Sequence, residues 1–363
     1  MQWGERAGQT ARRLLVLTVL TTALAAGLGA EATARMPSPA LQRVTPLLRD
    51  HGFADPSVVA YSHGYLAVST GIGAPRATAP TPTGPWTVRS RAMVELPRWA
   101  LTDEIWASDV VHLHHRWLLY YSAPVRGLGA GGRCIGVATA RGVLGRFHPV
   151  GRHPLVCPGR ARTPRAWDAL QTRGRALPRT GVIDPSGFHG KGGHQYLLYK
   201  TQGYPSSIRI LPLSSDGTRA RHHARSRELI RARGIVENPA LVRRQGRYVL
   251  FTSEGFYGDC GYRTTWRSSH GLLHWGRAKR HLLLRHTRAG LCGPGGADVV
   301  MRGRAQSLVF FHGWTCAGGL RPCPGSFHMD RRRGPQGQRS LYAAHLSWTR
   351  KGAPRVRGYL HPR

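Results

Sequence analysis

Three carboxylates stand in near-identical settings: Phe53-Ala54-Asp55-Pro56-Ser57-Val58, Val182-Ile183-Asp184-Pro185-Ser186-Gly187 and Ile235-Val236-Glu237-Asn238-Pro239-Ala240. In each, an apolar pair leads into the acid and a proline follows one or two places later. A carboxylate among apolar neighbours is costly to bury unless something compensates or uses its charge. Proline has no N–H to give to a strand ladder, so the chain parts from its neighbour there and the acid faces a cavity. Acids make up only 17 of the 363 residues, so their placement is informative. Separated carboxylates meeting in one cavity are the equipment of general acid–base chemistry. Capping a turn at a strand end is the plainer role open to any one of them singly.

The elements that position these acids recur along the chain. Five short aromatic-apolar strands are predicted at residues 65–69, 117–122, 196–199, 248–253 and 308–312, each after a turn rich in Gly, His, Arg or Gln. Each is preceded by another strand that opens at an acid: Asp55, Asp109, Asp184, Glu237 and Asp298, spaced 54, 75, 53 and 61 residues apart. A hairpin repeated five times at such spacing predicts an all-β, five-bladed β-propeller, with the extra length in loops. The innermost strand of each blade lines one central channel. The acids heading the repeats are therefore expected to converge in one pocket. The stretch 141–181, rich in Pro and Arg and carrying Trp167, is expected to wall one side of it.

The first 34 residues read as an export signal: Arg6, Arg12 and Arg13 precede an apolar run from Leu14 to Ala30, and Ala32-Thr33-Ala34 offers a cleavage site. Residues 35–363 then form a single propeller domain, expected to be secreted and extracellular, with no membrane attachment after cleavage and monomeric. The six cysteines fit an oxidising compartment. They allow 15 full pairings, of which the simplest joins sequence neighbours: Cys134 with Cys157, Cys260 with Cys292, and Cys316 with Cys323. The formal charge of +36 comes from 53 Lys and Arg, of which only four are Lys (Lys191, Lys200, Lys279 and Lys351). These cations are scattered through nearly every loop without a zinc-finger, helix-turn-helix or RNA-binding signature, so no specific nucleic-acid partner is expected.

Beyond these patterns the sequence resembles glycoside hydrolase family 43, five-bladed propeller enzymes that act on arabinans and xylans. The resemblance spans roughly residues 50 to 350. It rests on the two Asp-Pro-Ser openings, on Leu96-Pro97-Arg98-Trp99-Ala100 leading to Trp106-Ala107-Ser108-Asp109-Val110, on Cys134 to Thr139, on Glu237-Asn238-Pro239, on Gly293-Pro294-Gly295 and on Leu341-Tyr342-Ala343. It implies an inverting glycosidase acting on plant cell-wall polysaccharide or oligosaccharide. Asp55 would be the general base, Glu237 the general acid, and Asp184 the residue that tunes and holds Glu237. Inversion needs base and acid ~6.5–9.5 Å apart, which leaves room for a water. Trp106 and Trp99 are candidates for sugar stacking, Asp109 for orienting substrate and Arg263 for contacting the sugar or the base. His312 is a candidate for substrate binding and for holding a metal. No cofactor is expected to be required, although the resemblance brings the expectation of a structural Ca2+ in the central channel. The family pattern commonly carries histidine where this chain has Gly296, and proline where it has Ser108. The leading expectation is an α-L-arabinofuranosidase or arabinanase. The alternatives are a β-xylosidase on the same scaffold and a non-catalytic propeller that binds acidic glycans through its positive charge.

Overall fold

The computed structural model describes residues 43–49, 51–159, 161, 180–287, 290–302, 306–319, 321–330, 332 and 336–363. The expected export signal at 1–34 lies outside the described residues, as do Trp167 and the whole of 162–179 around it.

Each predicted hairpin is the inner half of an antiparallel sheet. The first blade holds β1 (Ser57–Tyr61), β2 (Gly64–Val68), β3 (Arg76–Ala79) and β4 (Thr87–Arg89) in that order. The second holds β5 (Trp106–Leu113), β6 (Arg116–Pro124), β7 (Arg133–Ala140) and β8 (His148–Pro149). The third holds β9 (Val182–His189), β10 (Gln195–Thr201), β11 (Ser207–Pro212) and β12 (Arg227–Arg231). The fourth holds β13 (Val236–Arg244), β14 (Arg247–Glu254), β15 (Arg263–Ser269) and β16 (His281–Leu284). In the fifth, β17 (Gly295–Arg302), β18 (Gln306–Cys316), β20 (Gln338–Trp348) and β21 (Pro354–Tyr359) pair in sequence, and the short β19 (Arg321–Pro322) pairs with the end of β18. Strand β1 neighbours both β5 and β17, so the ring of inner strands closes.

Alternation along the second strand of each blade explains the ring. Successive side chains point to opposite faces, and both faces are covered by neighbouring blades, so the central residues of these strands are apolar. Tyr120 packs with Leu197, Tyr199 and Leu211 of the third blade, while Leu119 and Tyr121 join Val68 and Trp99 on the other side. Val309 and Phe311 face the fourth blade, whereas Leu308 and Phe310 face the first. The start of the propeller is latched to its end: the Leu47 N–H donates to the Leu341 carbonyl at 2.7 Å, and the Phe53 N–H to that of Arg339 at 2.5 Å. The three disulfides join Cys134–Cys157, Cys260–Cys292 and Cys316–Cys323, the pairing expected from proximity.

The inner strands share a backbone device that the acid pattern only partly captures. One residue near the start of each has a positive φ: Asp55 (49°), Ala107 (43°), Asp184 (55°), Asn238 (46°) and Gly296 (60°). In the last four blades the ladder register shifts at that point, which marks a bulge. After Asp55, Asp184 and Asn238 the next residue is proline, which leaves no N–H unpaired at the bulge. Asp and Asn tolerate this left-handed backbone better than other side chains. Structurally, then, Asp55 and Asp184 are equivalent, Glu237 precedes the equivalent position by one residue, and Asp109 and Asp298 follow it by two. The five acids do not meet in one pocket, because that offset divides them between two levels of the channel.

Candidate active site

At the end of the channel where the inner strands begin lies a cavity of about 460 Å³. Asp55, Asp184 and Glu237 line it from three different blades, together with Thr70, Glu104, Trp106, Lys200, Asn238, Tyr204, Phe256, Tyr257 and Arg339. Although the whole chain carries +36, four carboxylates here face one lysine and one arginine.

Asp55 is the most heavily hydrogen-bonded of the three. The Thr70 hydroxyl donates to its Oδ2 at 2.8 Å and itself accepts the Ala107 N–H at 2.9 Å. Arg339 Nη1 lies 3.1 Å from both carboxylate oxygens, and the Asn238 amide donates to Oδ1 at 3.4 Å. Burial alone would raise the Asp55 pKa, but the Arg339 guanidinium and the Thr70 hydroxyl outweigh it and hold the carboxyl below the ordinary aspartate range. Asp55 is therefore ionised across the neutral and mildly acidic range.

Asp184 has the opposite environment. It is 6 % exposed, and its Oδ2 accepts the Asn238 N–H at 3.0 Å. Burial, aided by the nearby charges of Glu237 and Asp55 and opposed by Lys200, pushes its pKa up to about 7. Glu237, 8 % exposed, is gripped at each oxygen by a different group. Lys200 Nζ donates to Oε2, and the Tyr262 hydroxyl lies 2.7 Å from Oε1. The same hydroxyl is 2.8 Å from Asn238 Oδ1. A phenol has one proton to give, so with Glu237 ionised only one of these acceptors can receive it. Both contacts become hydrogen bonds when Glu237 carries a proton on Oε1 and donates it to Tyr262. Asn238 and Tyr262 thus link Asp55 to Glu237 through intervening groups.

His312 is completely buried beneath Asp55 and is stacked on Tyr262 at 5.8 Å. Its Nδ1 accepts the Asp55 N–H at 3.0 Å, which places the imidazole proton on Nε2. Burial and the Arg339 charge push its pKa down to about 3, so the ring is neutral. It does not line the cavity: it positions Asp55 from below, a correction to its expected contact with substrate. Nε2 has no hydrogen-bond partner among the described residues. Ca2+ takes about 6–8 oxygen ligands, and among the described residues no group of three or more His, Cys, Asp or Glu could hold a metal ion. The carboxylates and histidines of the described residues do not by themselves make a calcium cage, and no step below is routed through a cation.

Other expected contacts are relocated. Trp99 is 5 % exposed and lies parallel to Tyr121 in the core between the first two blades, where no sugar can reach its face. Trp106 does line the cavity, backed on one face by the Arg133 guanidinium 3.2 Å from its ring centroid. Arg263 opens β15 and is absent from the cavity wall. Asp109 lies deeper, in a narrow cavity of about 30 Å³ lined by all five inner strands. Its oxygens accept the Ser57 hydroxyl at 2.8 Å and the Gly187 N–H at 2.7 Å. Asp298 shares that level, accepting the Val58 and Val299 N–H groups at 2.6 and 2.8 Å. Asp109 therefore joins blades below the cavity rather than orienting substrate within it.

Sequence reasoning missed Lys200, Arg339, Tyr262 and Thr70. Lys200 carried a signal: one of only four lysines beside 49 arginines, it ends an otherwise apolar strand, Tyr196-Leu197-Leu198-Tyr199. Nothing local distinguishes Arg339 from the other arginines.

A closed ring of five blades with a carboxylate-lined cavity at one mouth of its channel defines a β-propeller. The model for glycosyl hydrolases family 43 matches residues 50–354, and the chain belongs to that family of glycoside hydrolases. Among solved structures, a thermostable family-43 glycoside hydrolase gives a TM-score of 0.66 at 18 % identity, covering 86 % of this chain and 95 % of that one. The α-L-arabinanase of Cellvibrio cellulosa gives 0.65 at 18 % identity, with coverages of 86 % and 99 %. An endo-1,4-β-xylanase from Bacteroides thetaiotaomicron VPI-5482 gives 0.65 at 20 %, with coverages of 88 % and 99 %. A search of curated proteins gave no match.

Proposed function

We propose that this glycoside hydrolase is secreted and cleaves α-L-arabinofuranosyl linkages of plant arabinan or arabinoxylan with inversion. Asp55 acts as the base, Glu237 as the acid and Asp184 as the residue that tunes Glu237. The observation that carries the reading is the contrast between two environments in one cavity. Asp55 is held ionised by Arg339 and Thr70, while Asp184, beside Glu237, is raised by burial to about 7. Groups whose surroundings push their proton affinities apart are suited to opposite roles.

In this mechanism Asp55 takes a proton from a water that attacks the anomeric carbon on the face away from the departing oxygen. Glu237 gives its Oε1 proton to that oxygen as the bond breaks, and the configuration inverts in one displacement. Trp106, Tyr204 and Tyr257 offer aromatic faces to the sugar C–H surface. The arabinanases and the xylanase among structures of the same fold support a pentose-containing polysaccharide. Three disulfides and the export-like first 34 residues support secretion.

The test is hydrolysis of 4-nitrophenyl α-L-arabinofuranoside, 4-nitrophenyl β-D-xylopyranoside, debranched arabinan and arabinoxylan, with the product anomer read by proton NMR. Activity on the arabinosides that Asp55→Asn and Glu237→Gln each abolish is the expected result. Activity on the xyloside alone moves the assignment to β-xylosidase. Binding of uronate-bearing glycans with no hydrolysis of any substrate by the folded protein would replace the reading with a binding propeller.

A further inference from the structure

Three of the four lysines, Lys191, Lys279 and Lys351, are exposed, but Lys200 is 7 % exposed. It sits one residue from the end of β10, opposite Ile183 of β9, where the bulge at Asp184 has just shifted the register. An ammonium held out of water needs compensating negative charge. The charged and titratable groups that face it are Glu237 on β13, Asp184 on β9 and Tyr204 on the loop after β10. Glu237 is the group in direct contact. The net effect of these carboxylates against burial is to raise the Lys200 pKa, so it is a cation throughout the working range.

The two oxygens of Glu237 therefore meet opposite demands. On the Oε1 side, Tyr262 and Asn238 are fully hydrogen-bonded only when a proton sits on Oε1. On the Oε2 side, Lys200 favours the carboxylate that remains once the proton has gone. Pairing stabilises the charged form of an acid, and an acid whose conjugate base is stabilised donates more readily to a leaving group.

Resting on the assignment of Glu237 as the acid, we propose that Lys200 is a positioning residue that stabilises the Glu237 carboxylate left after proton transfer, and thereby sets the pH above which this enzyme stops working. The Oε1 proton passes to the glycosidic oxygen, the Oε2 side stays paired with the ammonium, and that pairing lowers the pH at which the working form is lost. The pH limit is thus written by a residue of β10 that neither activates the water nor protonates the departing oxygen.

The experiment compares wild-type protein with Lys200→Met, Lys200→Gln and Lys200→Arg after circular dichroism has confirmed that each folds. The first readout is the pH profile of kcat/KM on the best substrate. The second needs no substrate: protein labelled with 13C at glutamate carboxyls is titrated by NMR, and the Glu237 resonance is identified by its loss in Glu237→Gln. Removing the charge should move both the basic limb and the midpoint of that resonance upward by about 1–3 pH units. Lys200→Gln serves if Lys200→Met does not fold, and Lys200→Arg should hold both values near wild type. A basic limb and a resonance midpoint that stay within about 0.3 pH units in the uncharged variants would overturn the proposal. The assignment of Glu237 fails separately. If Glu237→Gln cleaves unactivated polysaccharide as fast as wild type, the acid lies elsewhere, whatever the NMR midpoint does.

Discussion

Asp109→Asn should make the protein more stable at pH 8 while leaving it nearly unchanged at pH 4.5. Asp109 and Asp298 share the buried level of the channel around Ser57, and each raises the energy of the other's charge. Burial first, and the Asp298 charge second, push Asp109 from 3.8 to about 7, while burial pushes Asp298 up to about 6. Because the folded value lies above the unfolded one, the native state binds the extra proton between about pH 4 and pH 7. Stability from this site is therefore complete below about pH 4 and is lost as pH rises through 7. A displacement of about 3 pH units corresponds to a ceiling of about 4 kcal/mol. Two carboxylates share that burden and the channel has room for water, so about 2 kcal/mol is the working figure. The substitution suits the site: the new amide N–H can donate to Ser57 Oγ while the remaining oxygen still accepts the Gly187 N–H. Ser57 is then free to donate to Asp298, within whose hydrogen-bonding reach it lies. At ~2–4 °C per kcal/mol for a domain of this size, the variant should melt about 4–8 °C above wild type at pH 8 and within about 2 °C of it at pH 4.5. Calorimetry at four pH values between these limits decides the matter. Parallel Tm curves for the two proteins would show that the pair stores no repulsion, and the argument from burial would fail.

Other outcomes follow from the same geometry. Arg339→Met removes the charge that offsets the burial of Asp55, so the acid limb of kcat/KM should move up by about 1–3 pH units, with the largest loss of activity near pH 4.5. Thr70→Val strips a donor from Asp55 Oδ2 and an acceptor from the Ala107 N–H; it should lower stability by about 1–3 kcal/mol, read by urea denaturation, and reduce kcat more than it alters KM. Replacing Cys260 and Cys292 by serine opens a loop closed across 32 residues and should lower the unfolding free energy by about 4 kcal/mol, measured under non-reducing conditions.

The chain's local patterns were enough to read the five hairpins, the three disulfide pairs and the three acids that line the cavity. The reason is physical: period-two burial, turn residues and proline's missing N–H act over a few residues and mark the sequence wherever they occur. What they could not reveal was how each inner strand is offset at its bulge. That offset sends Asp109 and Asp298 down the channel while Asp55, Asp184 and Glu237 face the cavity. Trp99 shows the same limit, since an aromatic beside a motif reads alike whether it meets a sugar or Tyr121. Lys200, Tyr262 and Arg339 became part of the site only when separate blades were brought together. Arg339 lies 284 residues from the Asp55 it holds ionised. Charge and hydrogen-bond partners across such distances are set by ring closure, and no local pattern in the chain carries them.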